Sequence, residues 1–89
     1  MIEKEVTIVN KLGLHARATA KLVSLASRFR ARITVTRNNR QADAKNMMAV
    51  LLLGAGKGTI LRLSADGEDE SEALAAIIEL IARRFDESE

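Results

Sequence analysis

The residues best suited to chemistry are His15 and Arg17, two positions apart in the stretch Lys11-Leu12-Gly13-Leu14-His15-Ala16-Arg17-Ala18. His15 is the only histidine of the chain. A strand-like run precedes this stretch and a helical apolar pattern follows it, so we expect His15 where a loop becomes a helix. An imidazole beside a guanidinium group at a helix start is suited to holding an anion on the histidine.

The helix start itself supplies further anion-binding groups. If His15 is the N-cap residue, the backbone amides of Ala16, Arg17 and Ala18 have no acceptor inside the helix. Such amides bind anions, and the helix dipole adds about 0.3–1 kcal/mol for a negative charge. A charge-assisted hydrogen bond from an arginine contributes about 1.5–3 kcal/mol, so it would be the stronger single contact. The residues alone leave open an ordinary surface or capping histidine.

The composition narrows the class of protein. A chain of 89 residues fits one domain, residues 1–89, with one core. The absence of cysteine and the single histidine argue against a disulfide framework or a metal site, and no cofactor is expected. No apolar run reaches membrane-spanning length, and residues 1–5 lack a signal-peptide layout. We therefore expect a soluble cytoplasmic protein without membrane insertion.

The charges are unevenly distributed along the chain. Residues 1–45 hold 10 Lys or Arg and 3 Asp or Glu, a net charge of +7, whereas residues 46–89 have a net charge of −5. The basic half contains His15, so a negatively charged partner would be steered toward it. An ordinary mixed surface is the alternative. No aromatic residue interleaves the basic positions, which argues against nucleic-acid binding, and Gly54-Ala55-Gly56-Lys57-Gly58 lacks the spacing of a nucleotide-binding loop.

The periodicity of apolar residues predicts seven elements in the order β-α-β-β-α-β-α. An antiparallel sheet with helices on one face is the expected architecture. The predicted strands are residues 2–9, 32–37, 40–44 and 59–65. The predicted helices are 16–28, 47–53 and a last one that starts at Ser71 or an acidic residue nearby and runs to about Phe85. The second predicted helix has Asn46 as its N-cap. The last one has Leu74, Ile77, Ile78, Ile81 and Phe85 as its buried stripe.

The sequence resembles the HPr family, the histidine-containing phosphocarrier proteins of the bacterial phosphoenolpyruvate-dependent phosphotransferase system. The resemblance runs from about Glu5 to about Phe85. The segments that carry it are Lys11-Leu12-Gly13-Leu14-His15-Ala16-Arg17, Asp43-Ala44-Lys45-Asn46, Leu53-Gly54 and Ala65-Asp66-Gly67-Glu68-Asp69-Glu70. It implies an α+β fold, the open-faced βαββαβα sandwich, in which three helices cover one face of a four-stranded antiparallel sheet.

The resemblance also implies a function and a site. His15 would take a phosphoryl group on Nδ1 from enzyme I and pass it to an EIIA-type acceptor, and Arg17 would bind that group. The protein would thus be a covalent carrier rather than an enzyme with its own turnover, and it would be a monomer. The docking surface implied for its partners comprises Ala16, Arg17, Ala20, Lys21, Met47, Met48 and Leu51. Core packing is the alternative for Met48 and Leu51.

Two departures from the family pattern bear on the site. Ala18 stands where the family usually has proline, and an alanine keeps the helix while freeing an amide. Asn46 stands where many members carry a regulatory serine. Asparagine caps a helix about as well as serine but has no hydroxyl, so we expect no serine-kinase control there.

Alternatives from other functional classes remain at this stage. One is a regulatory binding module of the same fold in a nitrogen-related branch of the phosphotransferase system, rather than a sugar branch. The lost serine and the Ala16-Arg17-Ala18 variant favour it. A small nucleic-acid-binding domain is the other, and it predicts strongly salt-dependent binding to DNA or RNA.

Overall fold

Four strands form one antiparallel sheet in the spatial order β1-β4-β2-β3 in the computed structural model, which describes residues 1–89. The strands are β1 (Ile2–Thr7), β2 (Arg32–Arg37), β3 (Arg40–Asp43) and β4 (Ile60–Asp66). Along the central strand β4, Leu61, Leu63 and Ala65 are buried while the residues between them are more exposed. The polar strand β3 lies at an edge of the sheet, as its composition predicts.

Three helices cover the apolar face of this sheet. They are α1 (Ala16–Ala26), α2 (Met47–Leu51) and α3 (Glu70–Ala82). The core joins the two layers, with Leu22 of α1 and Ile77 of α3 fully buried in the same cluster as the strand residues. The element order and the open-faced α+β architecture predicted from the sequence are confirmed. None of the helices combines the length and the apolarity that a membrane crossing requires.

Several predicted helix ends were wrong by a few residues. The first helix stops at Ala26, where Ser27 forms the C-cap and its hydroxyl donates to the Val23 carbonyl (2.7 Å). The second stops at Leu51, and a turn then leads to Gly54 in a left-handed conformation (φ 63°). The predicted helix ran on to Leu53 because the apolar residues continue to that position. Leu53 is buried from the turn, and sequence periodicity does not distinguish it from a buried helical residue.

The start of α3 is set by Asp69, an acidic residue close to Ser71, within the alternatives that the sequence left open. Asp69 is the N-cap residue, but its carboxylate accepts from the backbone amides of Arg30 (2.9 Å) and Ala31 (2.8 Å) instead of from its own helix. The hydrogen bond from Arg30 is the main reason that the pKa of Asp69 lies below its usual range. Asp69 therefore ties the connection between α1 and β2 to the start of α3.

The end of α3 departs most from the prediction. The helix ends at Ala82, and three successive residues, Arg84, Phe85 and Asp86, adopt left-handed φ angles of 58°, 54° and 63°. This turn reverses the chain, and residues 84–89, here called the return segment, run back toward the start of α1. Phe85 is fully buried as predicted, but it is buried from this turn and not from a helical stripe.

Candidate functional site

His15 is the N-cap residue of α1, as the sequence predicts. Its backbone is extended (φ −72°, ψ 177°), and its carbonyl accepts the first hydrogen bond of the helix, from the Thr19 amide (2.8 Å). Its imidazole makes no capping hydrogen bond to the helix. The side chain is therefore free to face the cleft beside the helix start.

A tightly held loop fixes the position of His15. Gly13 has a left-handed φ of 64°, and a Cβ there would lie 2.4 Å from the Ala55 carbonyl oxygen, so only glycine fits. The next residue, Leu14, is buried and donates its amide to that same carbonyl (2.8 Å). The Thr19 hydroxyl donates to the Leu14 carbonyl (3.0 Å). The histidine thus follows a backbone that is held from both sides.

The start of α1 is open to an anion. The backbone N–H groups of Ala16, Arg17 and Ala18 donate to no acceptor within the protein, because they lie in the first turn of the helix. Such unpaired amides point along the helix axis, where the dipole favours negative charge. The three amides beside His15 are therefore unpaired, as expected for the first turn of a helix that has His15 as its N-cap residue.

Arg17 lies in the first turn of α1 and is exposed. Its guanidinium group forms no ion pair and no hydrogen bond within the protein, in contrast to Arg83, which pairs with Asp86 (2.9 Å). Arg17 and His15 line one open cleft, together with Lys11, Ala16 and Lys21. An unpaired cation beside the imidazole is available to an incoming anion.

The return segment closes the other side of this cleft, and no sequence pattern predicts this contact. The Glu87 carboxylate is hydrogen-bonded through Oε2 to the Nε2 atom of His15. Its other oxygen accepts from Nδ2 of the fully buried Asn10 (3.0 Å), which also donates to the Gly13 carbonyl (2.8 Å). The hydrogen bond from Asn10, followed by that from His15, lowers the pKa of Glu87 below its usual range.

Glu87 was missed because Asp86-Glu87-Ser88-Glu89 resembles a solvated acidic stretch. The Glu87 side chain is nevertheless only 17% exposed. Three contacts hold the segment in place: the buried ring of Phe85, a hydrogen bond from Lys21 Nζ to the Phe85 carbonyl (2.6 Å), and one from the Lys11 amide to the Glu89 carbonyl (2.5 Å). The available signal was the lone apolar Phe85 inside a run of charged residues.

The predicted docking residues lie on α1 and α2, which pack against each other. Ala16, Arg17, Ala20 and Met48 are exposed, so core packing is wrong as an explanation for Met48 (61% exposed). Met47, Leu51 and Lys21 are half-buried, and the Lys21 ammonium group is already hydrogen-bonded. Leu12 and Leu52 are among the other large apolar side chains that are exposed. Leu52 could have been found from its position four residues after Met48.

Comparison with known proteins identifies the class of protein. The family described as "PTS HPr component phosphorylation site" matches residues 2–83. HPr of Pseudomonas aeruginosa is 56% identical over 86 residues, with 96% of each chain covered. HPr of Cupriavidus necator is 52% identical over 89 residues, with both chains covered completely. The chain belongs to the HPr family, and its function is that of a phosphocarrier of the phosphotransferase system.

Solved structures bear out the fold. The crystal structure of HPr-C-His from Thermoanaerobacter tengcongensis superposes with a TM-score of 0.97 at 42% identity, with both chains covered completely. A crystal structure described as an HPr dimer from the same organism gives a TM-score of 0.79 at 42% identity, covering 98% of this chain and 100% of that one. A relative named phosphocarrier protein NPr, from Shewanella violacea, is 45% identical over 87 residues, covering 98% of this chain and 96% of that one.

Proposed function

We propose that His15 carries the phosphoryl group, bonded to Nδ1, and passes it from enzyme I to an EIIA-type acceptor. The observation that supports this most strongly is the open start of α1, where a histidine occupies the N-cap position without capping the helix. The lone pair of a ring nitrogen can attack phosphorus, and the ring can later leave with the same electron pair. A phosphocarrier needs both reactions, attack on phosphorus and later departure from it, at the same ring nitrogen.

Arg17 and the amides of Ala16, Arg17 and Ala18 would hold the phosphoryl oxygens. All three amides lack a partner in the protein, and the Arg17 guanidinium group forms no ion pair. An arginine can donate two parallel hydrogen bonds to phosphoryl oxygens, while the amides fix the direction of the group. Because these donors are already in place, little reorganisation is required when the charge arrives.

The docking surface proposed for both partners combines exposed and half-buried residues of α1 and α2: Ala16, Arg17, Ala20, Lys21, Met47, Met48 and Leu51. The half-buried Met47 and the exposed Met48 are adaptable apolar side chains beside the basic start of α1. Flexible methionines allow one surface to fit several partners. The basic residues would steer acidic partner surfaces toward His15.

Incubation with phosphoenolpyruvate and enzyme I tests this proposal directly. The wild-type protein is expected to gain one acid-labile phosphate, and His15→Ala is expected to gain none. Arg62→Ala is the matched control for loss of a basic charge, since Arg62 lies on β4 and points away from the helices. It is expected to accept phosphate at the wild-type rate. An unlabelled wild-type protein would refute the proposal.

A second candidate is a carrier of a nitrogen-related branch, in which the state of phosphorylation is itself the signal. The similarity to the NPr protein of Shewanella violacea and the Asn46 residue favour it. Phosphorylated protein offered to a nitrogen-type and a sugar-type EIIA from the same organism distinguishes the two. Faster transfer to the nitrogen-type acceptor would support this branch, and faster transfer to the sugar-type acceptor would exclude it.

The state of the protein in solution is also part of the proposal. We infer one domain over residues 1–89, supported by the single core cluster that spans sheet and helices. We further propose a cytoplasmic monomer that binds neither nucleic acid nor membrane. Light scattering coupled to size exclusion should give the mass of one chain, whereas twice that mass would contradict the monomer.

A further inference from the structure

The contact between Glu87 and His15 has a chemical consequence for the imidazole. An ionised carboxylate only accepts hydrogen bonds, so the hydrogen between Glu87 and Nε2 belongs to the histidine. A neutral imidazole that carries its hydrogen on Nε2 has none on Nδ1. The nitrogen with the free lone pair is therefore Nδ1, the atom that the proposed function uses.

The position of Glu87 is itself determined by neighbouring groups. Asn10 is fully buried and donates to the carboxylate and to the Gly13 carbonyl, which links Glu87 to the loop that precedes His15. The return segment is held by the buried Phe85 and by Lys21. A glutamate carboxylate is ionised near neutral pH, and the Asn10 hydrogen bond lowers its pKa further. Glu87 is thus a fixed anion on the far nitrogen of His15.

We propose that Glu87 is a positioning residue for phosphoryl transfer, which holds His15 in the Nε2–H tautomer and stabilises the positive charge of its phosphorylated ring. The inference rests on the proposed function of His15. An acidic residue that orients a histidine and stabilises its charged form is an arrangement known from hydrolases. Here the histidine is the nucleophile itself.

The transfer step balances without an additional proton. The Nδ1 lone pair forms the nitrogen–phosphorus bond, and the donor's bond to phosphorus breaks with its electrons returning to the donor. The ring retains its Nε2 hydrogen and becomes formally cationic beside the Glu87 carboxylate. In the onward step the nitrogen–phosphorus electrons return to Nδ1 as the acceptor attacks phosphorus. The Glu87 carboxylate thus offsets ring charge that exists only during and between the transfers.

Variants of Glu87 and a matched control from the same segment test this role. Glu87→Ala removes the acceptor, Glu87→Gln keeps an acceptor oxygen without charge, and Glu89→Ala removes the carboxylate that pairs with Lys11 instead (3.5 Å). We expect kcat for phosphorylation by enzyme I to fall about 10- to 100-fold in Glu87→Ala, the equivalent of one charge-assisted hydrogen bond, without a matching rise in KM. Glu87→Gln should lie between, and Glu89→Ala should match the wild type.

Nitrogen-15 NMR of the imidazole supplies a readout that a merely structural role would not change. The wild-type protein should show the Nε2–H tautomer, and Glu87→Ala should show a mixture of tautomers. Thermal unfolding and amide spectra establish that each variant is folded. A wild-type spectrum in the Nδ1–H form would overturn the proposal, as would an unchanged rate in Glu87→Ala.

A faster Glu87→Ala would also overturn it, because the carboxylate would then exclude the phosphoryl group rather than assist it. These outcomes are distinct from failure of the proposed function. If the wild-type protein gains no phosphate, the carrier role of His15 fails. If it gains phosphate and Glu87→Ala behaves identically, only the role of Glu87 fails.

Discussion

The starts of α1 and α2 show how one local structure can serve two purposes. Both helices follow an extended N-cap residue. At α2, the Asn46 side chain accepts from the Ala49 amide (3.1 Å) and satisfies one of the free amides of the helix. At α1, the His15 side chain caps nothing and is bound by Glu87 instead. The first arrangement stabilises a helix, and the second leaves a helix start available for a ligand.

The difference between the two helix starts shows that α1 lacks the stabilising side-chain cap at the place where the ligand would bind. A side-chain cap contributes about 1 kcal/mol, so an uncapped start is a loss that other contacts must offset. At α1 these contacts are the Leu14 amide on the Ala55 carbonyl and the Thr19 hydroxyl on the Leu14 carbonyl. Places where a local rule is broken and compensated nearby are expected at functional sites.

Making the first helix start resemble the second gives the largest expected effect. His15→Asn supplies the side chain that caps α2 but removes the nucleophilic ring. We expect phosphorylation by enzyme I to be lost completely, while the protein remains folded. Phosphate incorporation and thermal unfolding are the measurements. Acid-labile phosphate on His15→Asn would mean that another residue is the acceptor.

Removing the anchor of the return segment is expected to give the next largest effect. Phe85 is fully buried, and truncation of a buried phenylalanine costs about 3–5 kcal/mol of unfolding free energy. Phe85→Ala should therefore destabilise the protein far more than Phe29→Ala, since Phe29 is only half-buried. Denaturant unfolding measures both variants. Equal losses would contradict the anchoring role.

Loss of the guanidinium group at the open helix start should slow transfer without abolishing it. We expect Arg17→Ala to reduce the rate of phosphorylation about 10- to 100-fold, as for one lost charge-assisted hydrogen bond. Its stability should be nearly unchanged, because Arg17 has no ion pair to lose. Rapid-quench kinetics measure the phosphorylation rate of Arg17→Ala, with Arg62→Ala as the control for loss of a basic charge. Equal rates in the two variants would remove Arg17 from the site.

Changes at the second helix start should alter stability alone. Asn46→Ala is expected to cost about 1 kcal/mol of unfolding free energy, and Asn46→Ser should be nearly neutral because serine also caps. Both should carry phosphate on His15 at the wild-type rate. We also expect an HPr kinase to add no phosphate at position 46 of the wild-type protein. Phosphate found there by mass spectrometry would contradict this prediction.

The smallest expected effect is a dependence of stability on pH. The folded-state pKa of Glu87 lies below the ordinary value of 4.5, mainly because Asn10 donates to it. The group therefore stabilises the folded protein above about pH 4.5, and this contribution disappears as the pH falls through the lowered folded-state value. The stability advantage of the wild type over Glu87→Gln should shrink between about pH 6 and about pH 3. A constant difference in unfolding free energy between the two proteins across that pH range would show that ionised Glu87 does not stabilise the fold.

The sequence predicts the architecture because its strands and helices have distinct periods. The alternation of Arg32–Arg37 and the capping residue Asn46 were sufficient to locate β2 and the start of α2 correctly. The helix ends were harder, since Leu53 and Phe85 are buried from turns and continue the apolar pattern beyond each helix. The left-handed conformations of Arg84 and Phe85 have no residue signature, because neither is glycine, asparagine or aspartate.

The candidate site was predicted only in part for a related reason. His15 and Arg17 are neighbours in sequence, and a local pattern at a helix start brings them to one cleft. Glu87 lies 72 positions from His15, and its approach depends on a chain reversal that local patterns do not encode. Contacts of that kind follow from packing of the whole molecule. The sequence therefore indicates that His15 is the nucleophile, but it does not indicate that Glu87 is hydrogen-bonded to its imidazole.

The central claim, that Nδ1 of His15 carries the phosphoryl group, is tested most directly by identifying the atom to which that group is attached. Phosphorylated protein with nitrogen-15 in the His15 ring can be examined by phosphorus and nitrogen NMR. We expect a phosphorus coupling to Nδ1, since Glu87 occupies Nε2. A coupling to Nε2, or phosphate on a residue other than His15, would contradict it.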